Sequence, residues 1–293
     1  MILKIFQIIF PVLMISFMGY LYYKKEKISM DIPNKINLDI FIPILVFYAI
    51  SEKLPSITLL GTFSVGAVIV VLGSGLISYP VAKILRISPR TFLPSMMFNN
   101  SINLGLPLAL FAFGEEAMAM AIALSLVQVI GQFTIAVVMY GGEAKVINIL
   151  KNPVIISTVL GLLFNYYNFH LPELFLIPIK MLSQITIPLI LFALGVRLAS
   201  IEFSHWRIGL IGAILCPLSG VIMALIAILF FDYTTLQINL IILFGALPPA
   251  VINSIMAEKY GHDASVVSSV VAVGNLFSLI VIPIVFYFLF LYA

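Results

Sequence analysis

Long uncharged apolar runs recur along the chain, separated by short polar turns. Leu54–Ala82, Thr91–Gly114, Ala117–Gly142, Ile208–Phe231, Tyr233–Ala257 and Ala264–Ala293 contain no Asp, Glu, Lys or Arg. Each is longer than the ~20 apolar residues a helix needs to cross a bilayer. Four more segments are shorter or carry one charge: Ile5–Tyr23, Ile36–Lys53 with Asp39 near its start, Pro153–Phe169, and Leu174–Val196 with Lys180. The pattern predicts ten transmembrane helices joined by short turns, with no sizeable soluble domain. The first run is too long for a signal peptide, lacks a small-residue cleavage site and is followed by "KKEK", so it is expected to be retained.

The apolar pattern repeats. "PVLMISFMG" at 11–19 matches "PVIISTVLG" at 153–161, "IPILVF" at 42–47 matches "IPLILF" at 187–192, and "FGEEA" at 113–117 matches "YGHDA" at 260–264. The offsets of 142, 145 and 147 keep the three anchors in the same order. Residues 1–142 and 143–293 are therefore expected to be two five-helix repeats. Five spans is an odd number, so the second repeat enters the membrane upside down relative to the first, an architecture typical of secondary transporters.

Polar residues interrupt two of the runs at equivalent places. The fourth span holds "NNSINLGLP" at 99–107, where Pro107 lacks a backbone N–H and its ring clashes with the Asn103 carbonyl. Gly105 adds local freedom, so this helix is expected to break near its midpoint. The ninth span holds "FGALPPAVIN" at 244–253, with Pro248 and Pro249 beside Gly245. Paired interruptions of this kind are the best sequence pointer to a transporter binding site. Backbone exposed at a break cannot face lipid and must line protein or a wet cavity. Asn99, Asn100, Ser101, Asn103 and Asn253 supply polar groups that either repair the kinks or hold a ligand.

The expected helix polarity suggests the charge of that ligand. The half-helix after each break starts at the midplane, so two positive dipole ends converge there, a cradle for a carboxylate. No acidic residue lies close in sequence to either break, which favours an anionic or neutral substrate over an organic cation. Gln128 and Gln132 in the fifth span, and Ser268, Ser269, Asn275 and Ser278 in the tenth, are further candidates for a sodium site or for interhelical hydrogen bonds. Lys180 is expected to snorkel to the interface, and His262 to be solvated in a cytoplasmic turn.

Composition agrees with a membrane protein, since only 9% of the 293 residues are charged and 62% are hydrophobic. The basic residues are distributed unevenly. With ten spans, one side collects Lys24, Lys25, Lys27, Lys35, Lys83, Arg86, Arg90, Lys145, Lys151, Arg197, Arg207 and Lys259, which is 12 of 15. Cytoplasmic loops accumulate Lys and Arg, so both termini are expected outside. The single cysteine, Cys216, excludes an internal disulfide and a thiolate metal cluster. Neither a nucleophile with a buried base nor a pair of intramembrane aspartates is present, so an intramembrane hydrolase is not expected. A channel would call for a charged ring or symmetry around a pore.

The two interrupted segments carry a family resemblance. "NNSINLGLPLALFAFGEEA" and "ALPPAVINSIMAEKYGHDASVV" resemble the fourth-helix and ninth-helix signatures of the auxin efflux carrier family, which includes plant exporters and many bacterial permeases. More distantly, the chain is similar to sodium symporters of the bile-acid type. The resemblance implies a scaffold of helices 1, 2, 6 and 7 and a transport domain of helices 3–5 and 8–10. It also implies broken helices 4 and 9 that cross at the substrate site, elevator-like movement and a homodimer. The family's carboxylate-binding asparagine, seven positions before the helix-four proline, falls on Asn100. A second helix-nine proline of the plant exporters is Asn253 here, which argues against an auxin-like substrate.

The expectation is thus a secondary carrier of a small organic anion in a bacterial or archaeal cell membrane, with no cofactor and no nucleic-acid partner. The coupling ion, sodium or a proton, is left open. The alternatives are a bile-acid-type sodium symporter for a larger amphipathic anion, or a channel.

Overall fold

The computed structural model describes residues 1–57, 60–199 and 204–291, and every regular element among them is helical. In chain order these are α1 (Ile2–Glu26), α2 (Asp31–Lys53), α3 (Leu60–Ile84), α4 (Pro89–Met97), α5 (Ser101–Phe113) and α6 (Glu115–Met139). After a short connector, α7 (Val146–Leu150), come α8 (Pro153–Tyr166), α9 (Glu173–Ala199) and α10 (Trp206–Phe230). The chain ends with α11 (Thr235–Ala246), α12 (Ile252–Lys259) and α13 (Ala264–Leu291).

Seven of these, α1, α2, α3, α6, α9, α10 and α13, are long and apolar enough to cross a membrane. The protein is an integral membrane protein. The other three uncharged or nearly uncharged runs do not form long helices. Two are split, into α4 with α5 and α11 with α12, and α8 has only 14 residues. At 1.5 Å per residue α8 reaches about 21 Å, short of a hydrocarbon core of ~30 Å.

The two splits have different local causes. α11 stops at Ala246 because Leu247 precedes a proline and takes extended backbone, ψ 145°. The first split does not fall at Pro107, as the sequence predicts, but at Phe98–Asn100. Pro107 lies inside α5, in regular helix that begins at Leu106. The turn before it, Ser101–Gly105, is π-helical, and the Leu104 and Gly105 N–H groups share the Asn100 carbonyl at 3.1 Å each. A widened turn accommodates the proline's missing donor and bulky ring without breaking the helix. Pro43 in α2 likewise follows the π-helical turn Asn37–Phe41.

Glycine sets the closest helix contacts. A Cβ on Gly195 of α9 would run into the Ser16 carbonyl of α1, and one on Gly19 into the Phe192 carbonyl. Gly220 of α10 and Gly245 of α11 approach each other in the same way. Without a hydrophobic driving force between helices in lipid, such small-residue contacts let backbones pack closely. The repeat anchors also correspond in conformation: Gly114 and Gly261 both have positive φ, 92° and 71°, in the turns ahead of α6 and α13.

Contacts sort the helices into two groups. α1 packs on α9, and α2 packs on α8 and α9. α10 packs on α3, α4, α11 and α13, while α6 packs on α3, α5 and α11. The groups meet where α2 touches α6, where α1 touches α5 and α13, and where α9 touches the first turn of α5.

Candidate functional site

The two interruptions meet inside the protein. Asn99 and Pro249 form an antiparallel bridge. The Asn100 N–H donates to the Pro248 carbonyl at 2.7 Å, and the Ala250 N–H donates to the Phe98 carbonyl at 3.0 Å. Extended backbone that cannot face hydrocarbon is satisfied by other extended backbone.

Side-chain amides fill the remaining valences. Gln128 Nε2 of α6 donates to the Asn99 carbonyl at 3.1 Å and to Asn99 Oδ1 at 2.9 Å. Asn275 Nδ2 of α13 donates to the Pro249 carbonyl at 3.0 Å and to the Val271 carbonyl at 2.8 Å. Each bridge residue thus receives an amide from the long helix that follows its own interruption. Asn99 Nδ2 donates to the Phe244 carbonyl at 2.6 Å, and Asn100 Nδ2 to Asn275 Oδ1 at 3.0 Å. Asn253 Nδ2 donates to the Phe98 carbonyl at 2.8 Å, while its Oδ1 accepts from Gln132 Nε2 at 3.0 Å. Buried polar groups are costly unless paired, so this network both fixes the crossing and permits it.

A cavity of about 300 Å³ lies against the crossing. Its wall includes Asn99, Asn100, Ser101 and Asn103, Gln128 and Gln132 of α6, Asn152 at the start of α8, and Ala250–Ile252. Asp39 and Leu38 of α2, with the apolar residues Ile102, Val129, Phe133, Pro153 and Val154, complete it. The size is at the lower end for small-molecule sites, 300–1,000 Å³. Both α5 and α12 begin at this wall, and the first N–H groups of a helix have no intrahelical acceptor and carry the positive end of its dipole. The three π-helical turns found among the described residues, Asn37–Phe41, Ser101–Gly105 and Gln132–Ala136, all contribute to it. Such turns are frequent at functional sites.

The structure redistributes several expected roles. Asn253 is fully buried and, like Gly105, Pro107, Pro248 and Pro249, does not line the cavity. Gly105 instead allows close approach, since a Cβ there would come within 2.8 Å of the Leu247 side chain. Ser268, two turns before Asn275, lines neither this cavity nor the larger one described below. Ser269 accepts from the His205 N–H and donates to the Ser265 carbonyl, a tie between helix ends. Acidic residues are not absent from the site, as the linear sequence suggests: Asp39 stands on its rim and is exposed. His262 is not simply solvated, because its Nε2 lies 3.1 Å from the Tyr140 carbonyl and its ring packs on Tyr140. Lys180 is exposed and lines a separate cavity of about 200 Å³. Gln128 Oε1 is buried without a hydrogen-bond donor.

Crossed, interrupted helices beside a cavity with amide side chains on its wall, in an integral membrane protein, point to a membrane transport protein. Residues 142–286 match the model of a family described as membrane transport protein. An uncharacterized transporter of Methanocaldococcus jannaschii is 27% identical over 270 residues, covering 86% of this chain and 87% of that protein. Over that stretch the chain is similar to this family of membrane transport proteins, and over most of its length to that archaeal transporter.

Proposed function

We propose that the protein is a secondary carrier of a small organic anion, a carboxylate, which binds in the 300 Å³ cavity at the crossing. One observation carries this reading: the N-termini of α5 and α12 and the amides of Asn99, Asn100 and Asn103 converge on the same wall. A carboxylate there gains dipole stabilisation and charge-assisted hydrogen bonds, each stronger than a neutral one. The Asp39 carboxylate stays at the solvated rim, while the helix ends act at the floor.

The transport cycle in this reading is elevator-like. α1, α2, α8 and α9 form the scaffold, and α3–α6 with α10–α13 carry the site. Support comes from the packing groups, and from the paired repeat anchors read as ten spans in two inverted halves with both termini outside. In that orientation the cavity opens toward the cytoplasm. At the opposite end the Lys53–Glu115 ion pair, 2.7 Å, ties α2 to α6 and favours the inward-facing form. The scaffold is also the surface on which a homodimer would form.

A second reading, sodium-coupled symport, is favoured by the unpaired Gln128 Oε1, an acceptor that a cation would satisfy. The test is uptake of labelled mono- and dicarboxylates, amino acids and neutral controls into proteoliposomes, with and without sodium and pH gradients. Saturable uptake of a carboxylate supports the proposal, and its dependence on a sodium gradient selects symport. Uptake confined to cations or neutral solutes overturns it, and flux that fails to saturate indicates a channel.

A further inference from the structure

On the other side of the crossing lies a larger cavity, of about 520 Å³, between α1, α9 and α13. Its wall is apolar apart from Ser16, Tyr20, Lys24, Asn275 and Ser278. Three of these five are already hydrogen-bonded within the protein. Ser16 Oγ donates to the Leu191 carbonyl at 3.0 Å, and Ser278 Oγ to the Asn275 carbonyl at 2.6 Å. Asn275 is held by Asn100, Pro249 and Val271. The wall therefore behaves as hydrocarbon, with one ionic group at one end.

That group is poised for an anion. Lys25 pairs with Glu26 at 3.2 Å, whereas Lys24 makes no ion pair among the described residues. Its Nζ sits 5.5 Å from the centroid of the Tyr20 ring, which also lines the cavity. Along the edges of the cavity Leu13 and Phe17 of α1 and Leu276 and Leu279 of α13 are exposed. In a membrane those residues meet lipid, so the cavity opens sideways into the bilayer. Lys24, Lys25 and Lys27 stand together at that end of α1, on the side that holds most of the basic residues. A juxtamembrane cluster of this kind attracts anionic lipid headgroups.

We propose that this cavity is a lipid site: it takes one hydrocarbon chain of an anionic membrane lipid, whose phosphate rests on Lys24. The chain satisfies the apolar wall, the lateral opening admits it, and the lone cation selects the headgroup. The site lies between α1 and α9 of one packing group and α13 of the other, so a bound chain fills space across which the two groups would slide. It is separate from the carboxylate cavity, with the Asn100–Asn275 hydrogen bond standing between them.

The test uses the full chain with Trp206→Phe, which removes the single native tryptophan, and Leu279→Trp as reporter. Leu279 is exposed, so the change leaves the core intact. Bromine on the acyl chains quenches a nearby indole, and brominated phosphatidylglycerol is titrated against brominated phosphatidylcholine. Phosphatidylglycerol is expected to quench at about fivefold lower concentration, the factor for one Lys near an anionic surface, and Lys24→Gln is expected to abolish the difference. Native mass spectrometry of the protein with and without Lys24→Gln reads the same preference with no tryptophan change. Equal quenching by both lipids, a preference that survives Lys24→Gln, or displacement of the lipid by a soluble carboxylate would each overturn the proposal.

Discussion

Replacing Asn100 by Ala tests the proposed substrate binding apart from scaffolding, because Asn100 lines the 300 Å³ cavity and also ties the crossing to α13. Its Nδ2 donates to Asn275 Oδ1 at 3.0 Å. An interhelical hydrogen bond in a membrane protein contributes ~0.6 kcal/mol on average, so the structural cost of Asn100→Ala is small. A hydrogen bond to a charged ligand is worth about 1.5–3 kcal/mol, so affinity for a carboxylate should fall by about 10- to 150-fold. Asn275→Ala is the control. It removes the same tie together with donations to the Pro249 and Val271 carbonyls, yet Asn275 does not line the carboxylate cavity. The two lost interhelical bonds at that average cost about 1.2 kcal/mol of stability, twice the cost of Asn100→Ala. The control should therefore melt at a lower temperature than Asn100→Ala but bind more tightly. Isothermal titration of purified protein with the carboxylate that most raises its melting temperature measures both sides of the comparison. Equal losses of affinity in the two variants would refute direct contact and make Asn100 a positioning residue. Unchanged binding in Asn100→Ala would place the site elsewhere.

Other perturbations test separate parts of the argument. Gly245→Ala puts a methyl against the Gly220 carbonyl, where neither backbone can yield, and should cost about 1–3 kcal/mol, read as a lower melting temperature. An unchanged melting temperature would mean that α10 and α11 are not so tightly packed. Asp39→Asn removes a negative charge from the rim and should tighten dicarboxylate binding by about fivefold at low salt, the effect of one like charge at ~4 Å in water. Weaker binding would show that Asp39 holds a cationic part of the substrate. The Ser265 hydroxyl, with the Val266 N–H, holds the Asp263 carboxyl below the usual carboxylate range. A group held low when folded contributes stability above its unfolded pKa, and loses it as the pH falls through the folded value. Asp263→Asn should therefore flatten the acid side of a melting-temperature profile below about pH 4 while keeping the cap of α13, and Asp263→Ala should lose the cap as well. An acid limb as steep in Asp263→Asn as in the parent would refute that role.

Much of the site was legible in the linear sequence, though not its logic. The asparagine-rich run at 99–103 reads as the site because amides in a charge-free span are costly unless they have a task, and the paired prolines at 248–249 correctly mark the second interruption. Pro107 misleads because a proline's local effect depends on the turn before it. A π-helical turn is a hydrogen-bond shift that no residue pattern announces. Asp39 and Asn152 were missed for a simpler reason. They lie about 60 and 50 residues from the asparagine run, and only folding brings α2 and α8 to the crossing. Asn253 looked like a ligand group and is a fully buried tie, a distinction set by burial.

The sequence alone determined that this chain lives in a membrane, because hydrocarbon admits only long uncharged runs with internally satisfied backbones. Its polar interruptions were enough to point to a membrane transport protein and to the two segments that cross beside a cavity. Tertiary structure decided where each interruption falls, which amides are structural and which face a cavity, and that two cavities flank the crossing. Those outcomes depend on which distant helices supply a donor or leave a gap, and hydrogen bonds and packing across the fold are invisible to residues read one neighbour at a time.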